Sequence, residues 1–266
     1  MTAVGRFREL HREGLFLLPN PWDVGSARLL ASLGFQALAT TSAGFAWALG
    51  RLDGNVTRDE LVAHVASLAA ATDLPLNVDS EQCFPHDPGG VAETARMLAG
   101  AGAAGFSIED YDPVEDRILD LEVAVARVAE AVGAAQESDE PPVVTARAEN
   151  HLRGVDDLDD TIARLSAYRD AGADAVYAPW LADLGGVERI VREVGLPLNV
   201  LALPHGPTVP ELERAGVRRV STGGHLARAA YGALLTSAEE LRESGSPGYF
   251  ARAAPPEALE RAFGAR

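Results

Sequence analysis

The chain contains no lysine: all 23 residues in its Lys+Arg count are arginines. A Schiff-base aldolase, a pyridoxal-phosphate enzyme and a Walker-type nucleotide site each require a lysine amine, so all three are excluded. Cysteine is nearly as scarce. Cys83 stands alone, which excludes an intrachain disulfide and any metal site built from several thiolates. No apolar run is long enough to span a membrane. The N-terminus has no basic-then-apolar leader, so a cytoplasmic protein is expected. Positive charge is in deficit, with a formal net charge of −16, which argues against a nucleic-acid or anionic-membrane surface. An anionic small-molecule substrate stays compatible with that balance, because a local arginine and a cation can reverse the field inside a cleft.

What is present is a repeating pattern. The 266 residues, 47% of them hydrophobic, suit one large α/β domain, since barrels of this class run to about 250 residues. Strand-length apolar runs lie at Leu15–Leu18, Ala37–Thr40, Leu76–Asp79, Gly105–Glu109, Val143–Arg147, Ala175–Ala178, Leu198–Leu201 and Arg218–Ser221, each followed by helical periodicity. Thr57 and Glu60 form a capping-box pattern. Asp87-Pro88, Asp120 and the acids from Asp156 to Asp160 mark further helix starts, and Asp23 is expected to be a cap as well. Gly34, Gly102, Gly172 and Gly216 each end a helical segment just before an apolar residue, as left-handed caps do. Eight such βα units predict a (β/α)₈ TIM-type barrel over 1–245. A doubly wound sheet is the rival, but the glycine fingerprint after its first strand is missing. Residues 246–266 read as a linker and a detached C-terminal helix, Pro256 to Phe263, suited to covering its own barrel or a neighbouring subunit.

Three of the runs end in charge, and barrel active sites lie at C-terminal strand ends. Asp79 and Glu81 are two apart, so a continuing strand points both the same way. Glu109 and Asp110 end the next run, and Arg147, Glu149 and Asn150 the one after. With the loop acid Asp53, the carboxylates of Asp79, Glu81 and Glu109 form an oxygen-rich cluster suited to hard Mg²⁺ or Mn²⁺. Without a cation, their mutual repulsion raises their pKa values. Arg147 fits either an ion pair at the barrel mouth or a grip on a substrate anion. His11, His64 and His225 read as helix or surface residues. His86, His151 and His205 lie in loops and are weaker candidates than the acids, as is Cys83. Trp22 and Trp47 read as packing residues.

Asn20-Pro21-Trp22-Asp23-Val24-Gly25-Ser26-Ala27, Thr40 to Gly44, Asn77 to Glu81, Ser107-Ile108-Glu109-Asp110 and Thr145 to Asn150 together resemble the isocitrate lyase/phosphoenolpyruvate mutase superfamily, in order, over nearly all of 10–240. The resemblance implies a barrel that binds Mg²⁺ and a 2-oxo acid or its enolate. Asp79 would touch the metal, with Asp53, Glu81 and Glu109 holding it largely through water. Ser42, Ala43 and Gly44 would hold the substrate carboxylate or phosphonyl group, Arg147 would pair with substrate charge, and Asn199 would hydrogen-bond it. The loop 110–117 departs from the family: it carries neither the cysteine set of the lyases nor the lysine and asparagine of the mutases. The expected activity is therefore Mg²⁺-dependent C–C cleavage of a small 2-oxo acid or substituted malate, in the manner of an oxaloacetate decarboxylase. Asp53, Glu109 and Arg147 are the residues expected to carry it. The alternatives are hydrolysis or mutation of a P–C bond in a phosphono acid, and a non-catalytic oxo-acid binder. Relatives in the superfamily exchange a C-terminal helix between subunits, which implies a homodimer or homotetramer here.

Overall fold

A computed structural model describes residues 1–264. Eight parallel strands form the barrel: β1 (Phe16–Leu18), β2 (Leu38–Ala39), β3 (Leu76–Asp79), β4 (Gly105–Glu109), β7 (Val143–Arg147), β8 (Ala175–Tyr177), β9 (Leu198–Leu201) and β10 (Arg219–Ser221). Their order around the sheet is β1-β10-β9-β8-β7-β4-β3-β2. All eight expected runs are strands, shortened at the ends of some: Leu15, Ala37, Thr40, Ala178 and Arg218 fall outside the ladder. The ladder does not join β1 to β2. That seam is closed by the Ala39 N–H donating to the Pro19 carbonyl (3.0 Å) and the Asn20 side chain donating to the Thr40 carbonyl (2.7 Å).

Helices surround the sheet: α2 (Val24–Ser32), α3 (Ser42–Ala48), α4 (Arg58–Ala69), α5 (Gly90–Gly100), α6 (Leu121–Ala135), α7 (Leu158–Asp170), α8 (Leu184–Val194), α9 (Val209–Arg214) and α10 (His225–Ser244). Outward strand residues such as Val78, Phe106, Ile108, Val144 and Val176 are fully buried in one core shared with these helices. Burying each such side chain contributes about 1.5–3 kcal/mol. The cap glycines behave as their positions require, Gly34, Gly102, Gly172 and Gly216 having φ of 87°, 96°, 99° and 86°. Thr57 and Glu60 make the expected capping box, and Asp23 caps α2 through the Ser26 N–H at 2.6 Å.

Two expected caps are displaced. Helix α5 starts at Gly90 behind Gly89 in the left-handed region (φ 79°), and the Asp87 carboxylate faces Arg58 at 3.6 Å instead. Asp157, not Asp156, caps α7, accepting from the Asp160 N–H at 2.9 Å. Asp120 stands at the cap position of α6 without bonding the helix through its side chain. The loop after β4 also holds an unforeseen hairpin, β5 (Tyr111–Asp112) with β6 (Arg117–Ile118). Asp112 closes its turn by accepting from the N–H groups of Val114 (2.9 Å) and Glu115 (3.2 Å).

Helix α1 (Ala3–Leu10) plugs the end of the barrel opposite the strand C-termini. Phe7 is fully buried there, edge-on to Phe16 (6.0 Å between centroids) and to His11 (4.7 Å). The close approach depends on a missing side chain: a Cβ on Gly105 would stand 2.7 Å from the Phe7 ring and 2.8 Å from the Val143 carbonyl. At the other terminus, α11 (Pro256–Phe263) packs against α2 of the same chain, burying Ala262.

Candidate active site

Alternation along β3 turns Val78 out to the helices and Asn77 and Asp79 into the barrel. Asp79 is fixed from several directions. Its N–H donates to the Thr40 hydroxyl (2.8 Å), its Oδ2 accepts from the Ser42 N–H (3.0 Å), and its Oδ1 accepts from Arg147 (2.6 Å). Parallel register sets Glu109 of β4 beside Arg147 of β7, and Arg147 Nη2 lies 3.1 Å from Glu109 and 2.9 Å from Glu149. One guanidinium therefore serves three carboxylates, while also lying 5.3 Å from the centre of the Tyr177 ring.

Glu81 reaches this cluster by another route than the pleat. Strand β3 ends at Asp79, and Glu81 has φ 50°, so the i, i+2 alternation stops before it. A left-handed turn carries it round to Glu109, whose N–H donates to the Glu81 carbonyl at 2.9 Å. Cys83 (φ 58°) and Phe84 (φ 48°) share this backbone region, a concentration of strain of the kind found at functional sites, about 1–3 kcal/mol per residue.

Two adjoining cavities open on the cluster. One, of about 240 Å³, is lined by Ser42, Ala43, Asp53, Asp79, Arg147 and Asn199 among others. The second, of about 250 Å³, is lined by Asp53, Glu81, Glu109, Arg147 and Ser42. Crowding shows in the acids. Burial first, then Asp79 and Asp53, pushes the Glu81 carboxyl up to about 7. Burial raises Glu109 well above the ordinary carboxylate range despite Arg147, and burial and Asp79 raise Asp53. Negative charge thus exceeds what Arg147 neutralises. The donor set is wholly oxygen, which fits a hard divalent cation. Among the described residues no three His, Cys, Asp or Glu side chains stand ready to ligate one ion directly.

The sequence-predicted residues divide accordingly. Ser42, Ala43, Asp53, Asp79, Arg147 and Asn199 share the first cavity, and Glu81 and Glu109 the second. Gly44 lines neither. It is packed against Thr41, Trp22 and Ala227, with its N–H given to the Thr41 hydroxyl at 3.3 Å. The Ser42 N–H is engaged by Asp79, which leaves that of Ala43 unpaired among the described residues. Asp110 turns away from the mouth, accepting from Tyr168 (2.6 Å), Arg164 (3.2 Å) and the Glu149 N–H (2.9 Å). Cys83 is fully buried, its thiol raised to about 12 by burial, so it meets no substrate. His225, read as a helix or surface residue, lines the first cavity, as does Trp47. Tyr177, Trp180, Arg219 and Arg228 also line it and were not anticipated. The inward phase of β8 and β10 was the available signal for Tyr177 and Arg219.

Over residues 7–242 the chain matches a family model, that of phosphoenolpyruvate phosphomutase. The chain belongs to the phosphoenolpyruvate phosphomutase family. Membership accords with the resemblance drawn from the motifs, and places the barrel in the isocitrate lyase/phosphoenolpyruvate mutase superfamily. Among solved relatives, a chain from Burkholderia cenocepacia J2315, assigned provisionally to the lyases and mutases, is 48% identical with a TM-score of 0.94. That match covers 99% of this family member and 96% of the other chain. Oxaloacetate decarboxylase 2 of Pseudomonas fluorescens is 31% identical over 239 residues, 85% of this chain and 79% of the relative. The fold is shared with phosphonopyruvate hydrolase, solved in complex with oxalate and Mg²⁺: TM-score 0.87 at 22% identity, covering 99% and 95% of the two chains.

Proposed function

We propose that this family member is a Mg²⁺-dependent lyase that cleaves the C–C bond α to the carbonyl of a small 2-oxo acid, or of a substituted malate, as an oxaloacetate decarboxylase does. The observation that carries this reading is the wall of acids, Asp53, Asp79, Glu81 and Glu109, facing cavities of small-metabolite size, with burial and neighbouring carboxylates raising Asp53, Glu81 and Glu109.

Asp79 would hold the cation directly, with Asp53, Glu81 and Glu109 holding it through water. When bound, Mg²⁺ or Mn²⁺ would supply Lewis acidity at the oxo oxygen, drawing in the electrons that bond cleavage releases. The protein's own groups do the rest. Ala43 lines the first cavity, and its unpaired N–H would be a donor for the substrate carboxylate. Arg147 ties Asp79, Glu109 and Glu149 together and keeps the acid wall in place. Decarboxylation requires no base in the cleavage step, in keeping with the loop 110–117, which lacks the family's cysteine or lysine sets. Asp53, on the exposed rim, would relay a proton from solvent to the product carbanion.

Turnover of oxaloacetate and of substituted malates with Mg²⁺, measured beside phosphate release from phosphonopyruvate, tests this. C–C cleavage is expected. Phosphate release alone would assign the site to P–C chemistry, and oxalate binding with no turnover on the whole panel would make the protein an oxo-acid binder.

A further inference from the structure

The acid wall leaves one charged group of the cavity unexplained. Arg219 of β10 is 2% exposed and lines the first cavity, yet no carboxylate among the described residues lies within salt-bridge distance of it. The other interior arginines are different. Arg147 sits on three carboxylates, and Arg164 lies 2.7 Å from Asp160 and 3.2 Å from Asp110. A buried charge without a counter-charge costs several kcal/mol unless something else compensates it.

Its protein partners are neutral. Nε donates to the side-chain Oδ1 of Asn199 at 3.0 Å, and Asn199 Nδ2 in turn donates to the Ser221 hydroxyl at 2.9 Å, so both ends of the side-chain amide are committed. Nη1 meets His11 Nε2 at 3.3 Å. His11 Nδ1 donates to the Phe7 carbonyl (2.8 Å), and burial and Arg219 hold this imidazole neutral, at about 3. Nη2 takes no partner among the described residues. Burial lowers Arg219 only to about 10, so it stays cationic at neutral pH. Nearby in the same cavity, Asn77 Oδ1 is buried without a partner. Arg147 and Arg219 thus mark two parts of one cavity, the first neutralised by its own chain and the second not.

We propose that Arg219, positioned by Asn199, is the anion-recognising residue of a second subsite on the cavity floor, and that the ligand of this site is a dicarboxylic acid whose remote carboxylate meets the free Nη2 edge. The free Nη2 group can donate charge-assisted hydrogen bonds to a carboxylate, and the small cavity suits a compact diacid. The inference rests on the proposed function only for which end of the ligand reacts.

Calorimetric titration with Mg²⁺ present tests it on two pairs matched in carbon chain, 2-oxoglutarate against 2-oxovalerate and malate against 2-hydroxybutyrate, with oxalate as the ligand of the acid wall alone. The wild-type protein is expected to prefer the diacid at least tenfold in one pair. Arg219→Met should bring that ratio close to one while oxalate affinity stays within about twofold, and Arg219→Lys should keep part of the preference. Equal wild-type affinity within both pairs overturns the subsite, whether or not the variants fold, as does an unchanged ratio in Arg219→Met. Absence of oxalate binding with the diacid preference intact would instead overturn the functional reading and leave the subsite standing.

Discussion

Arg147 Nη1 lies 2.6 Å from Asp79 Oδ1, and this contact ties β7 to β3 across the intervening strand β4, whose Glu109 meets the same guanidinium at 3.1 Å. Three neighbouring strand ends are thereby held at one spacing by a single planar cation. The site's geometry is set by the barrel register before any ligand arrives.

Replacing Asp79 by asparagine keeps the outline of the side chain but removes the charge. Its single carbonyl oxygen can accept from Arg147 or from the Ser42 N–H but not from both. Wild type should gain melting temperature with Mg²⁺, because an ion bound only by the folded state stabilises it. Asp79→Asn should lose that gain and its Mg²⁺-dependent turnover, while its metal-free melting temperature moves by no more than a few degrees. A full Mg²⁺ response in the variant, measured by calorimetry, would remove Asp79 from the cation site.

Glu81 gives the metal-free protein a pH signature. Its carboxyl shifts from 4.5 to about 7 through burial and then Asp79 and Asp53. Between those values the folded chain holds a proton that the unfolded chain has released, so stability falls as pH rises through the window. The slope is at most about 1.4 kcal/mol per pH unit from this group, and Asp53 and Glu109 add to it with the same sign. Melting of chelator-treated protein from pH 4.5 to 7 should show the fall, Glu81→Gln should reduce it, and saturating Mg²⁺ should flatten it.

The plug of the barrel predicts a non-additive pair. Gly105→Ala drives a methyl group against Phe7 and the Val143 carbonyl and should cost about 1–3 kcal/mol by overpacking. Phe7→Ala should cost about 3–5 kcal/mol. In the double variant the clash with the ring is relieved while that with the Val143 carbonyl stays, so denaturant titration should give a total below the sum of the two.

Assembly is expected to be dimeric or tetrameric. Leu234, Leu235 and Leu241 of α10 and Phe250 beyond it are 61%, 62%, 49% and 76% exposed, apolar surface that a second copy would cover. Light scattering at micromolar concentration checks this, and a monomeric mass would refute it.

Much of this barrel could be read from the sequence because buried parallel strands are short apolar runs, and four glycines mark where helices give way to them. Asp79, Glu109 and Arg147 were legible for the same reason, since each ends such a run. Glu81 was found by an argument that fails in detail, because the pleat stops at Asp79 and a left-handed turn does the placing. Asp110 misled, since the partners that turn it inward, Arg164 and Tyr168, lie 54 and 58 residues further along. Arg219 was hidden for a related reason. A lone arginine in a strand gives no sign of whether it meets an acid, and only the assembled barrel shows that it meets none.

The seam between β1 and β2 has a mechanical consequence. Seven junctions of the ring are knit by ladders, and the eighth depends on one backbone bond and the carboxamide of Asn20, which also accepts from the N–H groups of Thr222 and Gly223 at 2.9 Å each. Asn20, Thr40 and Thr41 face the ligand cavity from this side. The ring is therefore a clasp rather than a hoop: its weakest join lies against the space a ligand occupies, and the Ala39 amide should be the first in the barrel wall to exchange its hydrogen with solvent.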